Sequence, residues 1–169
     1  MSGSNGEATL PRGPATRSTV KTRKKGKYAL SILKRLTGHR FAFWATKAIR
    51  FYGLKAAQFE FETSTGFYKL NEGGRAHAFS NPKRVWTLFN GQRSRGISLG
   101  QQYLLDQIEF AAGDRIIDVG ANSGDLSLLF DAIDVSVEYF AFEPSPPDFA
   151  VLEHNLGHSK TLSQFKAYN

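Results

Sequence analysis

The residues best equipped for chemistry form one run, Asp118-Val119-Gly120-Ala121-Asn122-Ser123-Gly124, with Glu143 following twenty-five positions after Asp118. The apolar stretch Arg115–Val119 precedes the run and reads as a short strand; a helix pattern follows it. In such a strand–loop–helix unit, Gly120 permits a tight turn directly after the strand. Gly124 permits close approach of backbone to ligand or of helix to sheet. Asp118 then stands at the carboxyl end of a strand, where open α/β sheets bind ligands. Glu143 ends the next strand, Val137–Phe142, where a carboxylate can accept from both hydroxyls of a ribose.

Asn122 narrows the choice of ligand. A dinucleotide fingerprint places a second glycine there so that the backbone can approach a pyrophosphate, and a side chain would crowd it. S-adenosyl-L-methionine has no phosphate; it carries a sulfonium, an ammonium and a carboxylate. Asp118 suits its cationic end, and backbone N–H groups near Gly120 suit its carboxylate. A nicotinamide-dependent oxidoreductase is the disfavoured alternative.

The run Gly113–Gly124, with Phe142-Glu143-Pro144-Ser145-Pro146 and then Leu152, Asn155 and Leu156, resembles the FkbM family of S-adenosylmethionine-dependent methyltransferases. The resemblance covers about residues 98–168. It implies a Rossmann-like class I methyltransferase fold, S-adenosyl-L-methionine as cofactor, and O-methylation of a small-molecule or saccharide acceptor, often a sugar or natural product; the location expected for the chain is cytoplasmic, with a site peripheral to a membrane as the alternative. It also implies that Asp118, Gly120, Ala121, Asn122 and Gly124 line the methionine end and that Glu143 holds the ribose. It designates no catalytic base. His154 and His158 have helical metal-ligand spacing but lack a third ligand; they read as surface or helix-capping residues, and no metal is predicted.

The elements that must position this site are predicted as follows. Tyr28 to about Gln58 is helical, with Trp44, Ala48 and Phe51 as a stripe packing on the main domain. The same pattern admits a cationic amphipathic helix lying on an anionic membrane surface. Phe59–Leu70 forms a hairpin about Ser64-Thr65-Gly66, and Val85–Phe89 a further strand. Arg93 and Arg95 occupy a Gly-containing loop; they could grip an acceptor or the cofactor carboxylate, but a solvated loop is the favoured reading. Ser98 and Gln101 form a capping box that starts a helix running to Phe110. A helix begins at Asp125, another spans Pro146 to about Leu156, and Leu162–Tyr168 is a third strand.

Charge is divided unevenly. The 169 residues carry a net +7, but residues 1–57 hold 13 Lys and Arg against the single acid Glu7. The remainder is net acidic. Residues 1–27, rich in Gly, Ser, Thr and Pro, read as a disordered basic tail, residues 28–97 as a helix and β-hairpin region, and residues 98–169 as the first half of a methyltransferase domain. A basic front suggests a second function class, a binding module docking on an anionic surface, glycan or nucleic acid, with nucleic acid the weaker fit. The chain contains no Cys, which excludes disulfides, thiolate nucleophiles and Cys-ligated zinc. No apolar run is long enough to span a bilayer. Only three strands of the parallel sheet are predicted, so the α/β fold is expected to be incomplete: a truncated N-terminal portion that binds cofactor weakly or not at all.

Overall fold

A computed structural model of the protein describes residues 36–51, 53–54 and 57–169. The predicted tail 1–27 and the start of the predicted helix at Tyr28 lie outside the described residues. The described chain is α/β and contains two three-stranded sheets.

The first helix, α1, spans Gly38–Phe51. It is followed by an antiparallel meander: β1 (Gln58–Glu62), β2 (Phe67–Glu72) and β3 (Arg75–Phe79). The predicted hairpin is borne out, with Phe59 opposite Leu70 and Glu62 opposite Phe67. Alternation explains it: Phe59 and Leu70 are buried on one face while Glu60 and Lys69 take the other. α1 lies on that face. Thr46 links the two, its hydroxyl accepting from the Phe59 N–H at 2.8 Å. Phe41, Ala45, Ile49, Phe59, Leu70, Phe79, Val85 and Leu88 make one core, which Leu128 joins from the second half of the chain.

α1 corrects the predicted stripe. Its buried residues are Phe41, Ala42, Ala45 and Ile49, whereas Trp44 is 52% exposed and Phe51 84%. The Trp44-Ala48-Phe51 spacing is helical, but the face that meets the sheet is the one carrying Phe41, Ala45 and Ile49, with the Phe41 ring edge-on to Tyr68 of β2 at 5.5 Å.

Two further expectations fail for identifiable reasons. Val85–Phe89 is not a strand. It belongs to a 3-10 segment, Pro82–Leu88, capped by the Asn81 side chain, which accepts from the Lys83 N–H at 2.9 Å. Arg93 and Arg95 are not in a loop; they lie in α2, which spans Gln92–Gln102, six residues ahead of the predicted Ser98 start. α2 is anchored from outside its own sequence. The Gln92 N–H donates to Glu72 and the Gln92 amide donates to the carbonyls of Leu70 and Arg75.

The second sheet matches the prediction closely. It comprises β4 (Arg115–Val119), β5 (Val137–Phe142) and β6 (Leu162–Tyr168), all parallel, in the order β4-β5-β6. α3 (Ser127–Ile133) and α4 (Pro146–Leu156) make the crossovers. They cover one face, burying Phe130, Val137, Tyr139, Ala141, Leu152 and Leu156. On the other face Ile117 and Val119 remain 70% and 80% exposed, and β4 has no partner beyond β5 among the described residues.

The meander packs on the α4 side of this sheet, not beside β4. Asn155 of α4 treats β3 as a strand partner: its Oδ1 accepts from the Ala78 N–H at 2.7 Å and its Nδ2 donates to the Ala78 carbonyl at 2.8 Å. α2 meets α3 at Gly96, where a Cβ would land inside the Leu128 carbonyl. Backbone cannot yield as a side chain can, so Gly96→Ala is expected to destabilise the fold by about 3 kcal/mol, measured as a fall in the urea midpoint. Gly100→Ala should be milder, because its Cβ would meet only the flexible end of Leu129.

Candidate functional site

The loop between β4 and α3 is built around left-handed backbone. Gly120 has φ +77°, Asn122 +53° and Gly124 +76°. Asn tolerates this region better than other residues with a Cβ. The two glycines differ in role. A Cβ on Gly120 would meet nothing within 4 Å, so space lies open above the turn; a Cβ on Gly124 would lie 3.0 Å from Leu152, so this glycine lets α4 pack close.

The predicted site residues gather at this loop and differ in burial and partners. Asp118 is half-buried at the end of β4 and accepts a 2.5 Å hydrogen bond from the Tyr139 hydroxyl. Burial raises its carboxyl above the usual range, the Tyr139 bond opposes that, and the negative charges of Asp125 and Glu143 add to the rise. Burial, reinforced by Asp118, pushes the Tyr139 phenol well above its ordinary value, so it remains a donor. Ala121 is buried in the core under the sheet, so its side chain packs instead of lining a cleft. Glu143 is buried and holds the loop: Oε2 accepts from the Asn122 N–H and Oε1 from the Ser145 N–H, both at 2.7 Å.

The backbone donors expected to meet a carboxylate are committed elsewhere. The N–H groups of Gly120 and Ala121 both donate to the Phe142 carbonyl, and that of Gly124 to Ala121. The first turn of α3 is likewise engaged, with Ser127 donating to Gly124 and Leu128 to Asp125.

Positive charge comes instead from outside the parallel sheet. Asp125 is buried and every acceptor direction is filled. Its Oδ1 accepts from Ser123 at 2.7 Å and from His77 of β3 at 3.1 Å. Its Oδ2 accepts from Arg84 of the 3-10 segment at 3.0 Å and from Arg95 of α2 at 2.9 Å. A second Arg84 nitrogen donates to the Asn122 side chain, gripping the loop itself. Burial alone would raise the Asp125 carboxyl. The His77 bond and charge, the Arg84 charge and the Ser123 bond outweigh it and hold the group far below the usual carboxylate range. One carboxylate thus faces two guanidiniums, leaving the cluster with surplus positive charge beside Asn122.

Of this cluster the sequence points only to Arg95, which with Arg93 could grip an acceptor or the cofactor carboxylate; Asp125 and Arg84 carry no such signal. Arg84 and Arg95 lie 41 and 30 residues away from Asp125, with no spacing rule connecting them. The nearest signal was the unusual density of polar residues after Gly120. His154 and His158 form no ligand set; the His158 ring donates to the His154 carbonyl at 2.6 Å, capping α4. A separate cavity of about 290 Å³ lies between the meander and α2–α3, lined by Glu72, Arg75, Arg93 and Asp131 among others, and contains none of the predicted ligand residues.

No protein-family model matches the chain, and no curated protein does. Two solved structures show distant likeness. TYW2 of Pyrococcus horikoshii, determined in complex with MeSAdo, is 18% identical with a TM-score of 0.39, over 76% of this chain and 47% of that one. PH0793 of Pyrococcus horikoshii is 19% identical with a TM-score of 0.37, over 78% of this chain and 47% of that one. This chain spans about half the length of each.

Asp125 links stability to pH in a defined direction. Its folded carboxyl titrates below the unfolded one, so its stabilisation is complete above about pH 4 and is lost as pH falls below that. Asp125→Asn should lower stability at neutral pH by about 3–5 kcal/mol, because Arg84 and Arg95 lose their counter-charge. It should also flatten the acid limb of a plot of Tm against pH.

Proposed function

We propose that the β4–α3 loop binds S-adenosyl-L-methionine and that the protein belongs functionally with the methyltransferases. The observation that carries this reading is the pairing of an open left-handed loop with two acids at adjacent strand ends, Asp118 on β4 and Glu143 just beyond β5. Open space above Gly120 admits the ligand backbone-close. The acidic pair suits a cationic amino-acid end and a ribose, while Asn122 in place of glycine disfavours a pyrophosphate. The cofactor supplies an electrophilic methyl group; the chain's own residues supply position. Asp118, kept partly desolvated beside Tyr139, attracts the ammonium and sulfonium charge. Each Glu143 oxygen already accepts one backbone N–H and retains a second lone pair for a ribose hydroxyl.

The carboxylate of the cofactor goes to Arg84 and Arg95. The amides of Gly120, Ala121, Asn122 and Gly124 are engaged, and among the described residues these two guanidiniums pair with the one carboxylate of Asp125. The resemblance to the FkbM family, carried by Asp118–Gly124 and Phe142–Pro144, makes the methyl acceptor a hydroxyl of a sugar or natural product.

Calorimetric titration separates these assignments. S-adenosylhomocysteine should bind, weakly as expected for three strands of the parallel sheet, and more tightly than 5′-methylthioadenosine, which lacks the amino-acid end. Glu143→Ala should weaken both ligands by about tenfold to a hundredfold, as expected for a lost hydrogen bond to a charged group. Arg84→Gln should weaken S-adenosylhomocysteine more than 5′-methylthioadenosine, narrowing the preference between them. If neither ligand binds, or NADH binds in their place, the methyltransferase reading falls. If Arg84→Gln leaves the preference for S-adenosylhomocysteine unchanged, only the carboxylate assignment falls.

A further inference from the structure

α1 has two unlike faces. The inner one, Phe41, Ala42, Ala45 and Ile49, is buried against the meander. The outer one carries Phe43, 54% exposed, Trp44 and Phe51, together with Arg40, Lys47 and Arg50, all exposed. At 100° per residue these six side chains fall within an arc of about 120°. No acid occurs anywhere in the helix. We propose that this face docks the protein on an anionic lipid bilayer, with α1 lying in the plane of the interface.

Three observations support that occupant over others. First, the aromatic rings are contiguous: Phe43 and Trp44 meet edge-to-face at 5.4 Å. Single exposed apolar residues are ordinary, but a cluster of large rings marks a contact surface, and Trp and Phe on one face with Lys and Arg beside them is the composition of an interfacial helix. Second, the Lys47 ammonium sits 4.5 Å from the Phe43 ring centre and 5.5 Å from that of Trp44. In a bilayer this lysine extends to the headgroups while the rings settle below them. Base stacking on the same rings would have to displace it. Third, charge is concentrated at this end of the sequence: 13 bases and one acid in residues 1–57, nine of those bases before residue 36. Each base near an anionic leaflet adds attraction that falls off within a Debye length. The helix lies on the surface and does not cross it: no helix among the described residues is long and apolar enough to span a membrane.

The test uses the full chain and vesicles of phosphatidylcholine with or without phosphatidylserine. Co-sedimentation should show binding only to the phosphatidylserine vesicles, weakening as salt rises. The chain has two tryptophans, so Trp86→Phe leaves Trp44 as the sole reporter, and its emission should shift to the blue on binding. Phe43→Ser combined with Trp44→Ser should reduce co-sedimentation about tenfold or more, since two rings no longer enter the interface, and should leave the Tm essentially unchanged because both side chains are exposed. Absence of vesicle binding overturns the proposal. So does binding that survives undiminished in the variant lacking both rings, or that leaves Trp44 emission unshifted in the Trp86→Phe protein, either of which would be charge attraction alone, or tighter binding to duplex DNA or RNA than to the vesicles.

Discussion

The Asp125 carboxylate is the point on which the two halves of the described structure depend. It accepts from β3 through His77, from the 3-10 segment through Arg84, from α2 through Arg95 and from the glycine loop through Ser123. An ion this deeply buried is tolerable only when its hydrogen-bonding capacity is filled, and removal of any one donor leaves charge uncompensated in a low dielectric. The meander is therefore more than a covering. It holds the loop from outside through His77, while the 3-10 segment and α2 bring Arg84 and Arg95 to a region whose own sequence, Asp118 to Glu143, contains no Lys or Arg.

Asn155 serves the same junction with uncharged chemistry. Its amide closes a backbone-like pair on Ala78 and also donates to the Ser123 carbonyl at 2.7 Å. One side chain on α4 thereby sets the spacing between the antiparallel sheet and the loop. Both Asn155 and Asp125 are side chains doing what backbone does within a sheet, and both are buried because only there is such a bond free from competition with water.

What was legible in the sequence follows from this division. β4, β5 and β6 and their crossovers were readable because each is local: apolar runs bounded by Gly113-Asp114, by Gly120 and by Pro144, with Pro146 opening α4. β1 and β2 were readable from alternation. β3 was missed, because Arg75-Ala76-His77-Ala78-Phe79 has little β preference and is a strand only by pairing with β2 and Asn155. The start of α2 was missed for a related reason. Its N-terminus has no side-chain cap of its own, and Glu72 from another element accepts from its first N–H. At the site, the loop and its two acids were visible as a motif. Its donors were not visible: the amides of Gly120 and Ala121 are bonded to Phe142, which depends on the position of β5 rather than on any residue in the loop.

β4 occupies the edge of its sheet, with Ile117 and Val119 largely exposed and Phe142 stacked on Tyr168 along the same face, ring centres 4.7 Å apart. A molecule seated at the carboxyl end of β4 has a wall on the β5 side, where Glu143 and Asn122 stand, and no strand pairs on the other among the described residues. Its residence time is then governed by the few polar bonds on one flank, with little contribution from enclosure. Exchange with bulk should be rapid, and any contact that later covers the β4 side would act mainly on the dissociation rate.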